Sequence, residues 1–243
     1  MTVSNVLITG VSSGIGEALA EHYLQLGWQV FGISRQKPDS LCQHSRMKWV
    51  SQDLTDHAGT VASLPQLLGD LPRLELVVLN AGALGKIGDM CEIDLDAFRE
   101  MMEINVWSCK TVLDFLLAGE LSVAQVVAIS SGAAVNGNRG WNAYSVSKAA
   151  LNMLTKLYAV ERPEVHFSAL APGLVDTAMQ DYLCEHPEDV RFPSLEVLRS
   201  KRNTIEMPTP TELAPRLAEV ISRVPSLLES GGFLDIRKMP ETS

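Results

Sequence analysis

No stretch of ~18 apolar residues occurs in the chain, so no segment reads as a membrane-crossing helix. The opening MTVSNVLITG enters an apolar segment without a basic leader or a small-residue cleavage site, which argues against a secretory signal and for a cytoplasmic protein. Cysteine is sparse. Cys42, Cys91, Cys109 and Cys184 form no CxxC pair and keep no metal-ligand spacing with histidine, so free thiols and no metal site are expected. Positive charge is short as well, with 20 Lys and Arg against 29 Asp and Glu and a net charge of −9. A surface that tracks nucleic-acid phosphates needs the opposite balance, so no nucleic-acid partner is expected. Repeats, low-complexity tracts and interdomain linkers are also missing. The 243 residues, 46% of them hydrophobic, can bury a sizeable core and are expected to form one domain over 1–243.

What the chain does have is apolar runs of two kinds. Short runs rich in β-branched residues at 3–9, 29–34, 47–51, 74–79, 123–130, 165–170 and 232–236 alternate with helical patterns at 17–26, 57–71, 94–118, 142–161 and 211–224. That order predicts βαβ units. The fold class is therefore α/β, a single Rossmann-like, doubly wound parallel sheet of about seven strands with helices on both faces. From about 174 to 210 the pattern loosens, and prolines such as Pro187, Pro193 and Pro208 interrupt short apolar clusters. This segment is expected to be either a C-terminal substrate lid of short helices or an inert surface excursion.

Groups capable of chemistry gather at the ends of these strands. Gly10, Gly14 and Gly16, with Ser12, Ser13 and Ile15 among them, stand between the first strand and the first helix. Such a loop lets a pyrophosphate approach the amides of a helix N-terminus, although a plain strand-to-helix turn uses the same residues. Arg35 closes the second strand, where NAD-using folds tend to place an acid. A guanidinium there suits a 2′-phosphate, and so NADP, unless it is only a solvated loop side chain. Asp53, followed by Leu54, could face an adenine or could make a turn with Thr55. Asn80, Ala81 and Gly82 leave room for a flat ring system or form only a turn. Asn105 sits inside a helical pattern, where a buried amide must be a structural bridge or part of a site. Ser131 follows an apolar strand, and Tyr144 and Lys148 stand four apart on one face of a helix beginning near Asn142. The ammonium is expected to lower the phenol pKa from about 10 towards the working pH.

Taken in order, Thr9-Gly10-x3-Gly14-Ile15-Gly16, Asp53-Leu54, Asn80-Ala81-Gly82, Asn105, Ser131, Tyr144-x3-Lys148 and Pro172-Gly173-x3-Thr177 resemble the short-chain dehydrogenase/reductase family along nearly the whole chain. The resemblance implies that Tyr144 is the general acid in reduction and that Ser131 hydrogen-bonds the substrate carbonyl. It implies that Lys148 holds the nicotinamide ribose and that Asn105 supports a proton-relay water. Pro172, Gly173, Val175 and Thr177 would join the glycine loop, Arg35, Asp53, Leu54 and the Asn80 segment around the dinucleotide.

Within the family the chain is most similar to the sepiapterin reductase and benzil reductase group. The residues that carry this are 80–85, Gly140-Trp141, 161–165, Asp176-Thr177-x-Met179-Gln180 and the ending 230–235. The subgroup places Trp141 at the substrate and implies that Asp235 anchors the guanidine-like edge of a pterin, if it does not merely end a strand. Ser13 stands where sepiapterin reductases often carry a basic residue. The implied activity is NADPH-dependent reduction of a ketone, in particular a vicinal dicarbonyl resembling sepiapterin or benzil. The alternatives are an NAD(H)-dependent alcohol dehydrogenase of the same family and a non-catalytic dinucleotide sensor. A homodimer or homotetramer is implied through the helices at 94–118 and 142–161, with Trp107, Val112, Leu151, Leu154 and Leu157 as their apolar excess.

Overall fold

The computed structural model describes residues 3–185 and 189–239. Strand β1 (Asn5–Thr9) runs into helix α1 (Gly14–Gln25) through a turn that only glycine allows. Gly10 and Gly14 take φ values of +75° and +61°, and a Cβ on Gly16 would lie 2.2 Å from the Gly10 carbonyl oxygen. Gly27, at φ +84°, then turns the chain into β2 (Gln29–Ser34), and β3 (Met47–Ser51) follows.

The remaining main strands are β5 (Leu76–Leu79), β7 (Gln125–Ile129), β8 (His166–Ala171) and β9 (Gly232–Asp235). They form one seven-stranded sheet in the order β3-β2-β1-β5-β7-β8-β9, parallel throughout. The expected fold class is thus observed. Two expected strands are split. The Glu75 amide bonds to Asn5 and the Ala124 amide to Leu74, so the two-residue strands β4 (Arg73–Leu74) and β6 (Ser122–Val123) pair with each other outside the main sheet.

Side-chain alternation along the strands sorts the core into two layers. Val6, Ile8, Val30, Val78, Val127 and Leu170 point to the face covered by α1 and by α8 (Pro210–Leu227). Leu7, Phe31, Ile33, Val77, Leu79, Val126 and Phe167 point to the face covered by α2 (His57–Leu68), α4 (Ser108–Ala118) and α5 (Asn142–Glu161). Each fully buried side chain of this kind contributes about 1.5–3 kcal/mol, so both layers are firmly held. Strand order reverses between β1 and β5, and in open parallel sheets the crevice at such a point binds ligands.

Two of the expected helices are altered, and the 174–210 segment holds short helices as expected. The helix at 57–71 stops at Leu68, where Gly69 takes φ +59°. The helix at 94–118 is three pieces: α3 (Leu95–Met102), a π-helical turn over Glu103–Trp107, and α4. Its widened turn carries Asn105 into full burial, a local distortion that often marks functional sites. Finally, the segment 174–210 holds two short helices, α6 (Ala178–Glu185) and α7 (Pro193–Lys201). Their Leu183, Leu195 and Leu198, with Phe192 and Met207, pack around Tyr144 and Leu84 as a third apolar cluster. Pro187 lies outside the described residues. Among those described, no helix is long and apolar enough to cross a membrane.

Candidate active site

A cavity of about 880 Å³ opens at the carboxyl ends of the strands. Gly10, Ser12, Ser13, Gly14 and Ile15 line one end, with Arg35, Asp53 and Leu54 beyond them. Asn80, Ala81 and Gly82 form the middle. Ser131, Trp141, Tyr144 and Lys148 line the other end, with Pro172, Gly173, Val175 and Thr177. Residues from seven separate stretches of sequence thus share one space. Gly16 lies beneath the loop rather than on the wall, its hydrogen facing the Gly10 carbonyl.

The loop end suits an anion. Ser13 precedes α1 but its side chain caps no amide, so the first-turn N–H groups and the positive end of the helix dipole are left for a ligand. Thr9 sets the loop's position: its hydroxyl accepts from the Asn80 and Ala81 amides at 2.9 and 3.0 Å. The Asn80 side chain donates back to the carbonyls of Thr9 and Gly10 at 3.0 and 3.2 Å. Asn80 therefore ties β5 to the glycine loop, and the small Ala81 and Gly82 provide the open surface. Asp53 makes the turn with Thr55, accepting from its amide and hydroxyl at 3.0 and 2.8 Å. Those bonds hold the exposed Asp53 carboxyl below the usual range, with Arg35 helping. Helix α2 is capped instead by Asp56.

The chemistry end is built around α5. Tyr144 and Lys148 are both buried, with the Lys148 Nζ 5.8 Å from the Tyr144 ring centre. Nζ donates to the Ile129 carbonyl at 2.8 Å, and its burial pulls the Lys148 pKa down to about 8. The expected depression of the Tyr144 pKa does not occur. Burial pushes the phenol up, and a hydrogen bond with Ser131 draws it only partly back. The ammonium is turned to a backbone carbonyl and is itself inclined to lose its proton, so it offers the phenolate little support.

Asn105 turns out to be a bridge. It donates to the Ala83 carbonyl and the Ser147 hydroxyl, each at 2.9 Å, and accepts from the Ala83 amide at 2.8 Å. Ser147 passes the network on to the Tyr144 carbonyl at 2.8 Å. A Cβ on Gly82 would come within 2.9 Å of the Asn105 amide oxygen and 3.4 Å of Lys148 Nζ, so the cavity floor there is glycine by necessity. Beneath it the buried Cys109 thiol, its pKa raised by desolvation, lies 3.6 Å from the Asn105 carbonyl.

Two sequence expectations for the substrate end have different outcomes. Trp141 lines the cavity, its ring centre 6.0 Å from that of Tyr144 and its Nε1 bonded to Ser194 at 2.9 Å in the 174–210 segment. Asp235 is not on the cavity wall. Its buried carboxylate accepts from the Nε and Nη2 of Arg237 at 2.9 and 2.6 Å, and this pairing holds it below the usual carboxylate range. Arg237 itself packs beside Gly132 and Gly173. Arg237 is not marked by any motif, although residues two apart at a strand end share a side. Ser147, three residues after Tyr144, and the burial of Gln180, three after Thr177, lie on helices whose buried faces the chain pattern does not fix.

A parallel sheet with a glycine loop at its switch point, opening beside a half-buried Ser131 and a buried Tyr144 and Lys148, defines a dinucleotide-binding oxidoreductase. Residues 4–188 match the short chain dehydrogenase family, and the chain belongs to it. It is 29% identical over 244 residues to benzil reductase ((S)-benzoin forming) of Bacillus subtilis, spanning 96% of this chain and 98% of that protein. It is 30% identical over 254 residues to sepiapterin reductase of Rattus norvegicus, spanning 94% of each. The crystal structure of the YIR035C short chain dehydrogenase/reductase from Saccharomyces cerevisiae superposes with a TM-score of 0.86 at 26% identity, covering 98% of this chain and 97% of that one. As a family member the protein is an NAD(P)-dependent oxidoreductase acting on a small molecule, and the uncapped loop end and open glycine floor fit a nicotinamide dinucleotide.

Proposed function

We propose that the protein is an NADPH-dependent carbonyl reductase whose substrate is an aromatic vicinal diketone of the benzil type. The observation that carries this is the juxtaposition of Ser131, Tyr144 and Lys148 at the apolar end of the dinucleotide cavity. A nicotinamide dinucleotide bound along the cavity supplies the hydride. Ser131 and Tyr144 hold the substrate carbonyl between two hydroxyl donors, which stabilise negative charge as it develops on oxygen. Tyr144 then gives its proton to that oxygen, so ketone, hydride and proton balance to alcohol. Burial keeps the phenol protonated, the form that reduction consumes. The reverse, alcohol oxidation, needs the phenolate. Lys148 serves the ribose hydroxyls once its Nζ turns from Ile129, and Asn105 with Ser147 fixes the first turn of α5. Arg35, exposed on the rim, serves the 2′-phosphate.

Substrate choice follows from charge. The walls beside Tyr144 are Trp141, Leu174, Met179 and Leu183, which suit aryl groups. A pterin would be held by a free carboxylate, and Asp235 is already engaged by Arg237. The whole chain acts as one unit with the 174–210 segment as its lid. The exposed stripe Val146, Met153, Leu157 and Val160 on α5, with Trp107 beside it, forms the contact between copies. Val112 and Leu151 belong instead to the core. NADPH oxidation followed with benzil, sepiapterin and a simple alkyl ketone tests this reading: benzil should give the highest kcat/KM, and preference for sepiapterin or for the alkyl ketone would overturn it.

A further inference from the structure

One polar side chain at the substrate end takes no part in the scheme above. Gln180 is only 9% exposed, and its Oε1 is buried without a hydrogen-bond partner. An unsatisfied buried amide oxygen is costly and rare. Gln180 lies on α6, and its own backbone amide is satisfied by Thr177 at 2.7 Å, so the helix is anchored while the side-chain oxygen is left without a partner. It lines the same cavity as Ser131 and Tyr144. Its helix neighbours Met179 and Leu183 belong to the apolar cluster that contains Tyr144 and Trp141. Trp141 offers no competing donor, because its Nε1 is bonded to Ser194. Gln180 thus brings to that wall a buried amide oxygen that no protein donor satisfies.

We propose that Gln180 determines specificity by binding the oxygen on the carbon next to the reacting carbonyl. This rests on the carbonyl reductase reading and names the substrate feature that the site selects: a ketone with a vicinal oxygen. A primary amide suits both members of that class. Turned one way, its NH2 donates to the second carbonyl of a diketone. Turned the other way, its oxygen accepts from the hydroxyl of an α-hydroxyketone. A site built to hydrogen-bond such an oxygen discriminates against the analogue lacking it, because a polar group of the site is then left unpaired.

The test compares benzil with deoxybenzoin, the same skeleton without the second oxygen, in wild type and Gln180→Met. Intrinsic differences in electrophilicity cancel when each variant rate is divided by the wild-type rate for the same ketone. Loss of one neutral hydrogen bond predicts a fall in kcat/KM for benzil about 3- to 10-fold greater than for deoxybenzoin, with the NADPH Kd unchanged. Should deoxybenzoin turn over too slowly to follow, its Ki against benzil replaces its rate. Gln180→Glu, of the same shape but without a donor when ionised, should impair benzil at least as much and serves if the Met variant does not fold. Equal losses on both ketones, or a weakened NADPH Kd with them, would overturn the assignment and make Gln180 a structural or cofactor group. Absence of any diketone turnover in wild type would instead refute the carbonyl reductase reading itself.

Discussion

Lys148 is a charge held largely out of water, and its replacement by methionine gives a worked prediction. Burial lowers its pKa from 10.5 to about 8, and at 1.36 kcal/mol per unit that depression costs the folded cofactor-free protein ~3 kcal/mol at neutral pH. The sign follows from proton counting. Between pH 8 and 10.5 the unfolded chain holds the lysine proton more tightly, so stability rises with pH through that window and is flat below it. Lys148→Met removes the charge but leaves the Ile129 carbonyl, now bonded at 2.8 Å, without a donor, at a cost of ~1–3 kcal/mol. The two effects oppose each other, so absolute stability at pH 7 should change little or rise modestly. The pH dependence isolates the charge. Between pH 7 and 9.5, urea unfolding should show wild type gaining ~2 kcal/mol relative to Lys148→Met. Parallel curves across that range would refute the claim that Lys148 titrates from a buried, poorly compensated position.

Other variants probe the rest of the site. Arg35→Ala should weaken NADPH binding by about 10- to 100-fold, the scale of a charge-assisted hydrogen bond, while leaving NADH nearly unaffected; parallel losses measured by fluorescence titration would remove Arg35 from the 2′-phosphate. Arg237→Ala releases the Asp235 carboxylate, and the ratio of kcat/KM for sepiapterin to that for benzil should rise about tenfold. An unchanged ratio would mean that Asp235 is structural whether or not it is paired. Gly16→Ala places a methyl group 2.2 Å from the Gly10 carbonyl; NADPH titration should show a loss of affinity of at least about tenfold through the displaced loop, a cost on the scale of overpacking a core.

Much of this site could be read before any coordinates. The glycine loop, the strand ends and the four-residue offset of Tyr144 and Lys148 are local patterns, and helix and strand geometry converts them directly into positions. Burial is not local, which is why the Tyr144 pKa came out on the opposite side of its ordinary value. Spacing puts an ammonium nearby, but the apolar cluster around Tyr144 and the Ile129 carbonyl decide which effect wins. The π-helical turn at Asn105 escaped for a similar reason, since one added residue per turn leaves no mark in an apolar period. Helix α5 is apolar on more than one face. Only the sheet shows that Leu151 points inward while Met153 and Leu157 point out.

The central claim is that Tyr144 delivers the proton to a carbonyl reduced in this cavity. NADPH oxidation with benzil at saturating cofactor, wild type against Tyr144→Phe, tests it most directly when NADPH binding is measured on the same samples. Removal of a general acid that is also an oxyanion donor should lower kcat by about 10³-fold or more, with the NADPH Kd within a few-fold of wild type. A Tyr144→Phe protein that still turns over within about tenfold of wild type would contradict the account.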